Sequence, residues 1–240
     1  MRVAVLQSSY IPWKGYFDLM AAADEFVIYD EVQFTKNDWR NRNRIILNGK
    51  PHWLTIAAKT SGAFGLPIDR IEVANHDWSR VHLETLRQAY RKAPFFREMF
   101  PPLEAAYTRA CQLSLLSEVN EICLRSLAQL LGVETRIERS TAVTRVSEDP
   151  TARLIEICVA RGATTYISGP AAKAYIDKSK FDAAGIELKY ANYSGYPVYD
   201  QGSETFEHGV SIVDVLMRCG SDARGHLKSL RDRNSFLDAA

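Results

Sequence analysis

The sequence predicts an α/β fold with a mostly parallel sheet and a central helical section, and three observations predict it. The chain opens on a β-branched apolar run, "RVAVL", passes through a loop into a helical pattern, and reaches a second apolar run, "EFVIYD", ending at Asp30. Strand, loop, helix and strand at that spacing make a βαβ unit, which requires parallel strands. The same alternation returns late in the chain, with "ETRIERST", "DPTARLIEICVARGA", "TTYIS" and "FDAAGIELKYANY". Between residues 77 and 132 the apolar spacing is helical throughout. One composite domain over 1–240, with a helical section over 77–132 inside it, is the organisation this implies.

Each element has its own signal. "KGYFDLMAAAD" sets Tyr16, Phe17, Met20 and Ala23 at helical spacing. "RIILNGKPHWLTIA" reads as a hairpin, because both residues of an Asn-Gly turn tolerate positive φ. A loop follows over 58–67, and "IDRIEVA" then reads as a strand. "DWSRVHLETLRQAYRKA" has apolar residues at Trp78, Val81, Leu83, Leu86 and Tyr90, compatible with an amphipathic helix. Pro94, Pro101 and Pro102 punctuate the chain before helices at "LEAAYTRACQ" and "LLSEVNEICLRSLAQLLG", the latter stopping at Gly132. Pro150 suits the first turn of the next helix, and Gly162 its end. "GPAAKAYID" reads as a turn into a helix. "GVSIVDVLMRCG" and "DARGHLKSLRDR" read as two more.

Bulk composition narrows the function classes. The chain has 240 residues, 46% hydrophobic and 25% charged, with a net charge of +1. That balance argues against a nucleic-acid partner. No apolar run is long enough to span a bilayer, and "MRVAVLQSS" is too short for a signal peptide. The expectation is a cytoplasmic protein with no integral membrane segment. Cys111, Cys123, Cys158 and Cys219 form no CxxC pair and read as small buried hydrophobes of a reducing compartment. The five histidines show no HxH or HExxH spacing, so no metal site is expected. No GxSxG, GxGxxG or P-loop occurs.

Four segments carry chemistry. In "QSSYIPWKGYF", Gln7 stands at the end of the first strand, Lys14 supplies a charge, and Gly15 near a helix start could admit a phosphate; packing of Pro12, Trp13 and Tyr16 is the alternative. In "FTKNDWRNRNR", Lys36, Arg40, Arg42 and Arg44 place four cations close together, and Trp39 offers a stacking surface. A small anionic ligand suits that set; a solvated loop edge is the alternative. In "YISGPAAKAYID", Ser168 and Gly169 end a strand where hydroxyl and amides could meet an anion. "YANYSGYPVYDQG" is a tyrosine-rich loop of the kind that lines recognition sites or covers a sheet end. In parallel sheets ligands bind beyond the strand ends, where Gln7 and Asp30 both stand.

"VLQSSYIPWKGYFDLMAAADEFVIYDEVQFTKNDWRNRNRI" resembles the opening of the WbqC-like family. "YISGPAAKAYID" and "YPVYDQGSETFEHGVSIVDVLMRCG" resemble its closing section. The resemblance implies a protein encoded among bacterial surface-polysaccharide genes. It marks Gln7, Tyr10, Pro12, Gly15, Tyr16, Asp30, Gln33, Lys36, Trp39, Arg40, Asn41, Arg42, Trp53, Ser168, Gly169, Tyr175, Tyr199 and Gln201. Ser8 and Ser9 stand where the family more often has proline and asparagine. The opening is also similar in layout to adenylyl-forming nucleotidyltransferases such as pantothenate synthetase, which implies a nucleotidyltransferase-like (Rossmann-like) sheet. The HIGH histidines of those enzymes are missing from "YIPWKGYF", so Lys14, Lys36 or Arg40 would have to steady the phosphates.

The expected activity is transfer of an acyl or aminoacyl group to the amine of a nucleotide-linked amino sugar in O-antigen-type biosynthesis. ATP or another activated acyl donor would supply the group. Gln7, Asp30 and Lys36 would be catalytic, with Asp30 as general base. The remaining marked residues except Pro12, together with Lys14, would bind ligand, Lys36, Arg40 and Arg42 holding phosphates in one cationic cleft shared with Gln7 and Ser168. A non-catalytic sugar-nucleotide-binding or assembly partner, and a nucleotidyltransferase, are the alternatives.

Overall fold

The computed structural model describes residues 1–61 and 65–239. Residues 62–64, inside the loop expected over 58–67, lie outside the described residues. In chain order the first elements are β1 (Arg2–Leu6), α1 (Lys14–Ala22), β2 (Glu25–Ile28), β3 (Arg42–Leu47) and β4 (Lys50–Thr55). Three helices follow: α2 (Trp78–Tyr90), α3 (Phe96–Ala110) and α4 (Leu116–Leu130). The chain then makes β5 (Arg136–Arg139), α5 (Pro150–Ala160), β6 (Thr165–Ser168), α6 (Lys178–Ala183) and β7 (Glu187–Ala191). It closes with α7 (Ile212–Cys219) and β8 (Leu237–Ala239).

Six strands form one sheet in the order β5-β2-β1-β6-β7-β8. All pair in parallel except β8, which runs antiparallel to β7. The chain builds outward from β1, first through β2 to β5 on one side, then through β6 and β7 on the other. The direction of growth therefore reverses between β1 and β6. Strand alternation divides the core in two. Val3, Val5, Val27, Tyr166 and Leu188 pack with Leu154 and Ile157 of α5 and Phe181 of α6. Ala4, Phe26, Ile28 and Ile167 pack on the other face with residues of α1, α4 and α7. Burial on both faces is why these strands are nearly continuous apolar runs.

The β3–β4 hairpin closes as its sequence demands. Asn48 and Gly49 both take positive φ, +51° and +74°, the pairing that matches strand twist. The helical section α2–α4 docks on the N-terminal loop through Tyr10. The Tyr10 hydroxyl meets His82 Nδ1 at 2.8 Å and the Tyr107 hydroxyl, and its ring lies edge-on to Trp78. Burial pushes His82 down to about 4, so the imidazole is neutral here.

Several expectations need correction. "IDRIEVA" is no strand. Its amides and carbonyls bond to separate segments, Ile68 to Val32, Asp69 to Asp30 and Val73 to Ser114, so no ladder forms beyond isolated bridges and a 3₁₀ turn at Ile68–Arg70. Pro101 and Pro102 do not interrupt the chain but lie inside α3. They free the carbonyls of Arg97 and Glu98, two exposed residues that water can reach. "GPAAKAYID" makes only a 3₁₀ turn, Pro170–Ala174. "DARGHLKSLRDR" yields a 3₁₀ stretch, Gly220–His226, and turns. β8 had no periodic signal, because three residues on a sheet edge are too few to show one.

The C-terminal segment is tied to α1 by one carboxylate. Asp18, fully buried, accepts from the Tyr196 hydroxyl at 2.7 Å and from the amides of Lys228 and Ser229 at 2.9 and 2.7 Å. Truncation would leave those donors buried and unpaired, at about 1–3 kcal/mol each. Asp18→Ala should lower unfolding free energy in urea by about 3 kcal/mol or more. A loss below about 1 kcal/mol would show that the C-terminal segment is held by packing alone.

Candidate functional site at the β1–β6 strand ends

Where strand order reverses, the connections leave β1 and β6 in different directions and a crevice opens beyond their carboxyl ends. Here it is a cleft of about 350 Å³, within the usual range for small-molecule sites. Val5, Leu6 and Tyr166 give it an apolar floor, and Pro150 and Leu154 of α5 form one wall. Gly169, Ala171 and Ala172 form another, and Gln7, Ser168, Tyr29, Tyr175, Arg145 and Glu148 supply the polar groups. Burial raises the Tyr29 and Tyr175 phenols, so both present O–H groups at neutral pH. Arg145 pairs with Glu148 at 2.7 Å at the mouth, where both side chains are exposed. Another hollow, about 310 Å³, is lined by residues of α2, α3 and the turns beside them, away from the ends of the parallel strands.

Gln7 reaches the cleft because the segment after β1 is held from several sides. The Asp30 carboxylate, at the end of β2, accepts from the Ser8 amide at 2.8 Å and from the Ser117 hydroxyl of α4 at 2.5 Å. Arg40 Nη1 donates to the Ser8 carbonyl at 2.9 Å, and Asn120 Nδ2 donates to the Ser8 hydroxyl at 3.0 Å. The Tyr16 hydroxyl donates to the Gln7 carbonyl at 2.9 Å. Asn43 Nδ2 donates to the carbonyls of Tyr10 and Ile11 at 3.2 and 3.1 Å. Between those bonds Ile11 adopts φ +36°. That is an outlier for a β-branched residue, and such strain persists only where the surroundings over-determine it.

The residues marked by sequence therefore separate into groups. Gln7, Ser168, Gly169 and Tyr175 line the cleft. Asp30, Arg40, Tyr10 and Tyr16 hold the segment that carries Gln7, and Asn41 bonds the Ile56 carbonyl at 2.8 Å beside them. Asp30 is 4% exposed and both its oxygens accept bonds within the fold, the geometry of a positioning group. The expected convergence of Lys36, Arg40 and Arg42 on one cleft with Gln7 and Ser168 is not what the chain does. Lys36 and Gln33 are exposed, and Arg42 lies over the Trp53 ring on the hairpin. Arg40 alone turns inward, onto a backbone carbonyl. The room a side chain would need at Gly15 is filled by the Trp13 indole, 2.3 Å from an added Cβ, so this glycine serves packing.

Arg145, Glu148 and Tyr29 were missed. Arg145 and Glu148 lie in "VTRVSEDP", between β5 and α5, and Tyr29 follows β2; all leave carboxyl ends of parallel strands, the rule that pointed to Gln7. Applying it to every strand would have found them.

Lys14, Tyr199 and Gln201 form a separate buried constellation. Lys14, a residue 2% exposed, donates from Nζ to His208 Nδ1 at 3.2 Å, and its ammonium lies over the Tyr196 and Phe206 rings. Asp214 accepts from the Tyr90 and Tyr199 hydroxyls at 2.8 and 2.7 Å and from Gln201 Nε2 at 3.1 Å. Burial pushes Lys14 down to about 8, against an opposing pull from Asp214 and Glu207. Burial and the Lys14 charge both lower His208, in keeping with a neutral ring accepting at Nδ1. A lysine whose folded pKa lies below its unfolded one opposes folding while protonated in both states. The penalty is full below pH 8 and fades as pH rises toward 10.5. Lys14→Met should therefore unfold at higher urea than the parent at pH 7, with the gap closing between pH 8 and 10.5. A gap independent of pH would place its cause elsewhere.

Comparison with known proteins agrees with the sequence resemblance. The model of the WbqC-like protein family matches residues 7–226. That span begins at Gln7 and takes in every cleft residue beyond the β1 strand. The uncharacterized protein Rv1507c of Mycobacterium tuberculosis is 38% identical over 230 residues, covering 96% of this chain and 99% of that protein. No solved structure matches. With nearly its whole length matched, from the end of β1 to the C-terminal 3₁₀ stretch, this chain belongs to the WbqC-like protein family.

Proposed function

We infer that the cleft binds a nucleotide-linked amino sugar and that the protein transfers an acyl or aminoacyl group to its amine, as a step in building a bacterial surface polysaccharide. The family name is associated with polysaccharide biosynthesis. The observation that carries the reading is the meeting of Gln7 with Ser168 and Gly169 across the β1–β6 reversal. This is where Rossmann-like and nucleotidyltransferase-like sheets hold nucleotides. Because only a 3₁₀ turn follows Gly169, little helix dipole is available there. The charge facing a diphosphate would come instead from Arg145, turned from its solvent-exposed pair with Glu148, with Ser168 and the Gly169 backbone adding hydrogen bonds.

The chemistry asked of the site is amide formation. The amine nitrogen attacks the acyl carbon, the bond to the leaving group breaks with its electron pair, and the nitrogen loses a proton. Gln7 and Tyr175 would orient sugar hydroxyls. Glu148 is the cleft carboxylate able to take the proton. Asp30 would act by holding Ser8, and Lys36, outside the cleft lining, has no part in the step. An ATP-activated acid or a preformed acyl or aminoacyl donor would serve equally.

The test is incubation of purified protein with nucleotide-linked amino sugars and ATP plus acids, acyl thioesters or aminoacyl donors, followed by product mass. A mass increase equal to the acyl group supports the reading; unchanged sugars with every donor overturn it. A rise in melting temperature with sugar nucleotide but no product would favour the non-catalytic binder instead. That alternative has its own support, since no cysteine or histidine is among the described cleft residues.

Two variants localise the ligand. Arg145→Gln should weaken sugar-nucleotide binding about tenfold, as expected for loss of a charge-assisted bond. An added Cβ at Gly169 would meet only the Tyr193 hydroxyl, at 3.7 Å, so Gly169→Ala should fold normally. Weaker binding in that variant would report close approach of the ligand to the backbone. Unchanged affinity in both variants would remove the diphosphate from this end of the cleft. Asp30→Asn separates roles: an amide can still accept from the Ser8 amide and donate to Ser117, so a positioning role predicts retained activity, and a general-base role predicts its loss.

A further inference from the structure

The β3–β4 hairpin carries a feature that the cleft does not use. Its register sets Arg44 opposite Trp53 and Arg42 opposite Thr55, and alternation puts Arg42, Arg44 and Trp53 on one face. The other face, with Asn43, Ile45 and Leu54, is buried. Trp53 is 42% exposed and Trp39 41%. Their ring centroids are 5.5 Å apart with planes inclined by 31°. Two neighbouring indoles left this open to water are unusual, since an indole is among the largest apolar groups a chain can bury.

The cationic side of this face is unneutralised at one point. Arg44 is paired with Glu207 at 3.3 Å. Arg42 lies 4.4 Å from the Trp53 centroid. Its guanidinium donates only to the Asn37 side-chain and main-chain oxygens, and its Nε has no partner. No carboxylate among the described residues pairs with it. The face thus combines flat aromatic surface with a free positive charge. The two rings stand too close for a base to slide between them, and the Arg42 guanidinium lies over part of Trp53, so the open aromatic surface is the outer side of the pair beside Arg42. The face is also rooted in the cleft's own scaffold. The Trp39 carbonyl accepts from the Tyr10 amide at 3.0 Å, and Arg40 beside it holds Ser8, next to Gln7.

We propose that Trp39, Trp53 and Arg42 form a second binding site, for an acidic saccharide, whose pyranose ring lies on the indoles while its carboxylate meets Arg42. This rests on the polysaccharide reading of the protein, and it adds a platform for a charged glycan outside the sugar-nucleotide cleft.

The probe is trigalacturonate, titrated against the full chain while following tryptophan fluorescence and, in parallel, heat of binding. Saturable binding that weakens with added salt is expected, with maltotriose binding at least tenfold more weakly. Trp53→Ala should abolish it, and Arg42→Gln should reduce it about tenfold while the circular dichroism spectrum stays unchanged. Arg145→Gln, in the cleft, should leave it untouched. The proposal is overturned if trigalacturonate does not bind, if maltotriose binds equally well, if uridine diphosphate competes at this face, or if folded Trp53→Ala and Arg42→Gln bind like the parent. A failure here with sugar-nucleotide binding intact in the cleft would reject the platform alone; loss of sugar-nucleotide binding would reject the cleft reading independently.

Discussion

The two hydrogen bonds accepted by Asp30 are the constraint on which the site depends. A segment leaving a central parallel strand has to turn out of the sheet, and its amides lose their ladder partners as it does. The Ser8 amide, two residues past β1, faces that loss, and the carboxylate at the end of the neighbouring strand takes it up while also accepting from Ser117 of α4. One side chain thereby fixes three things: the direction of the loop, the docking of the helical section against it, and the placing of Gln7 at the cleft. Arg40, Asn43 and Asn120 then secure the following carbonyls and the Ser8 hydroxyl. Ile11 can be held at positive φ because so many bonds bracket it.

This explains why a polar, cationic stretch beside an aromatic loop suggested a ligand more broadly than the structure does. "NDWRNRNR" is rich in groups that bind anions, and backbone carbonyls satisfy the same donors. Arg40, Asn41 and Asn43 found carbonyls; Arg42, one residue further out on the hairpin, did not find an acidic partner. Sequence spacing distinguishes faces of a strand but not what each face will meet. Gly15 is a similar case, since room for a phosphate and room for an indole are written with the same missing Cβ.

The parallel sheet was legible because strands buried on both faces and their flanking helices carry strong periodicity: β1, β2, β5, β6 and β7 all fall where the pattern put them. Gly132 and Gly162 mark helix ends, and Asp149 caps α5 ahead of Pro150. What was not legible was non-local. The 68–74 segment looked like a strand and instead bridges several partners. β8 gains its structure only from the edge of β7. The cleft was legible at Gln7 and Ser168, which end strands; at Arg145 and Glu148 the strand-end rule points to the loop after β5, but the loop shows no periodicity to single out which of its side chains turn to the cleft. Lys14, read as a ligand-facing charge, is enclosed by Tyr196, Phe206 and His208 from a loop nearly two hundred residues away in sequence.

The central claim is spatial, that ligand lies between the ends of β1 and β6. A crystal structure of the chain soaked with a uridine diphosphate-linked amino sugar tests it most directly. The account predicts density for the diphosphate against Ser168, Gly169 and Arg145, with the sugar beside Gln7. Density at full occupancy elsewhere, with the cleft holding only water, would contradict it.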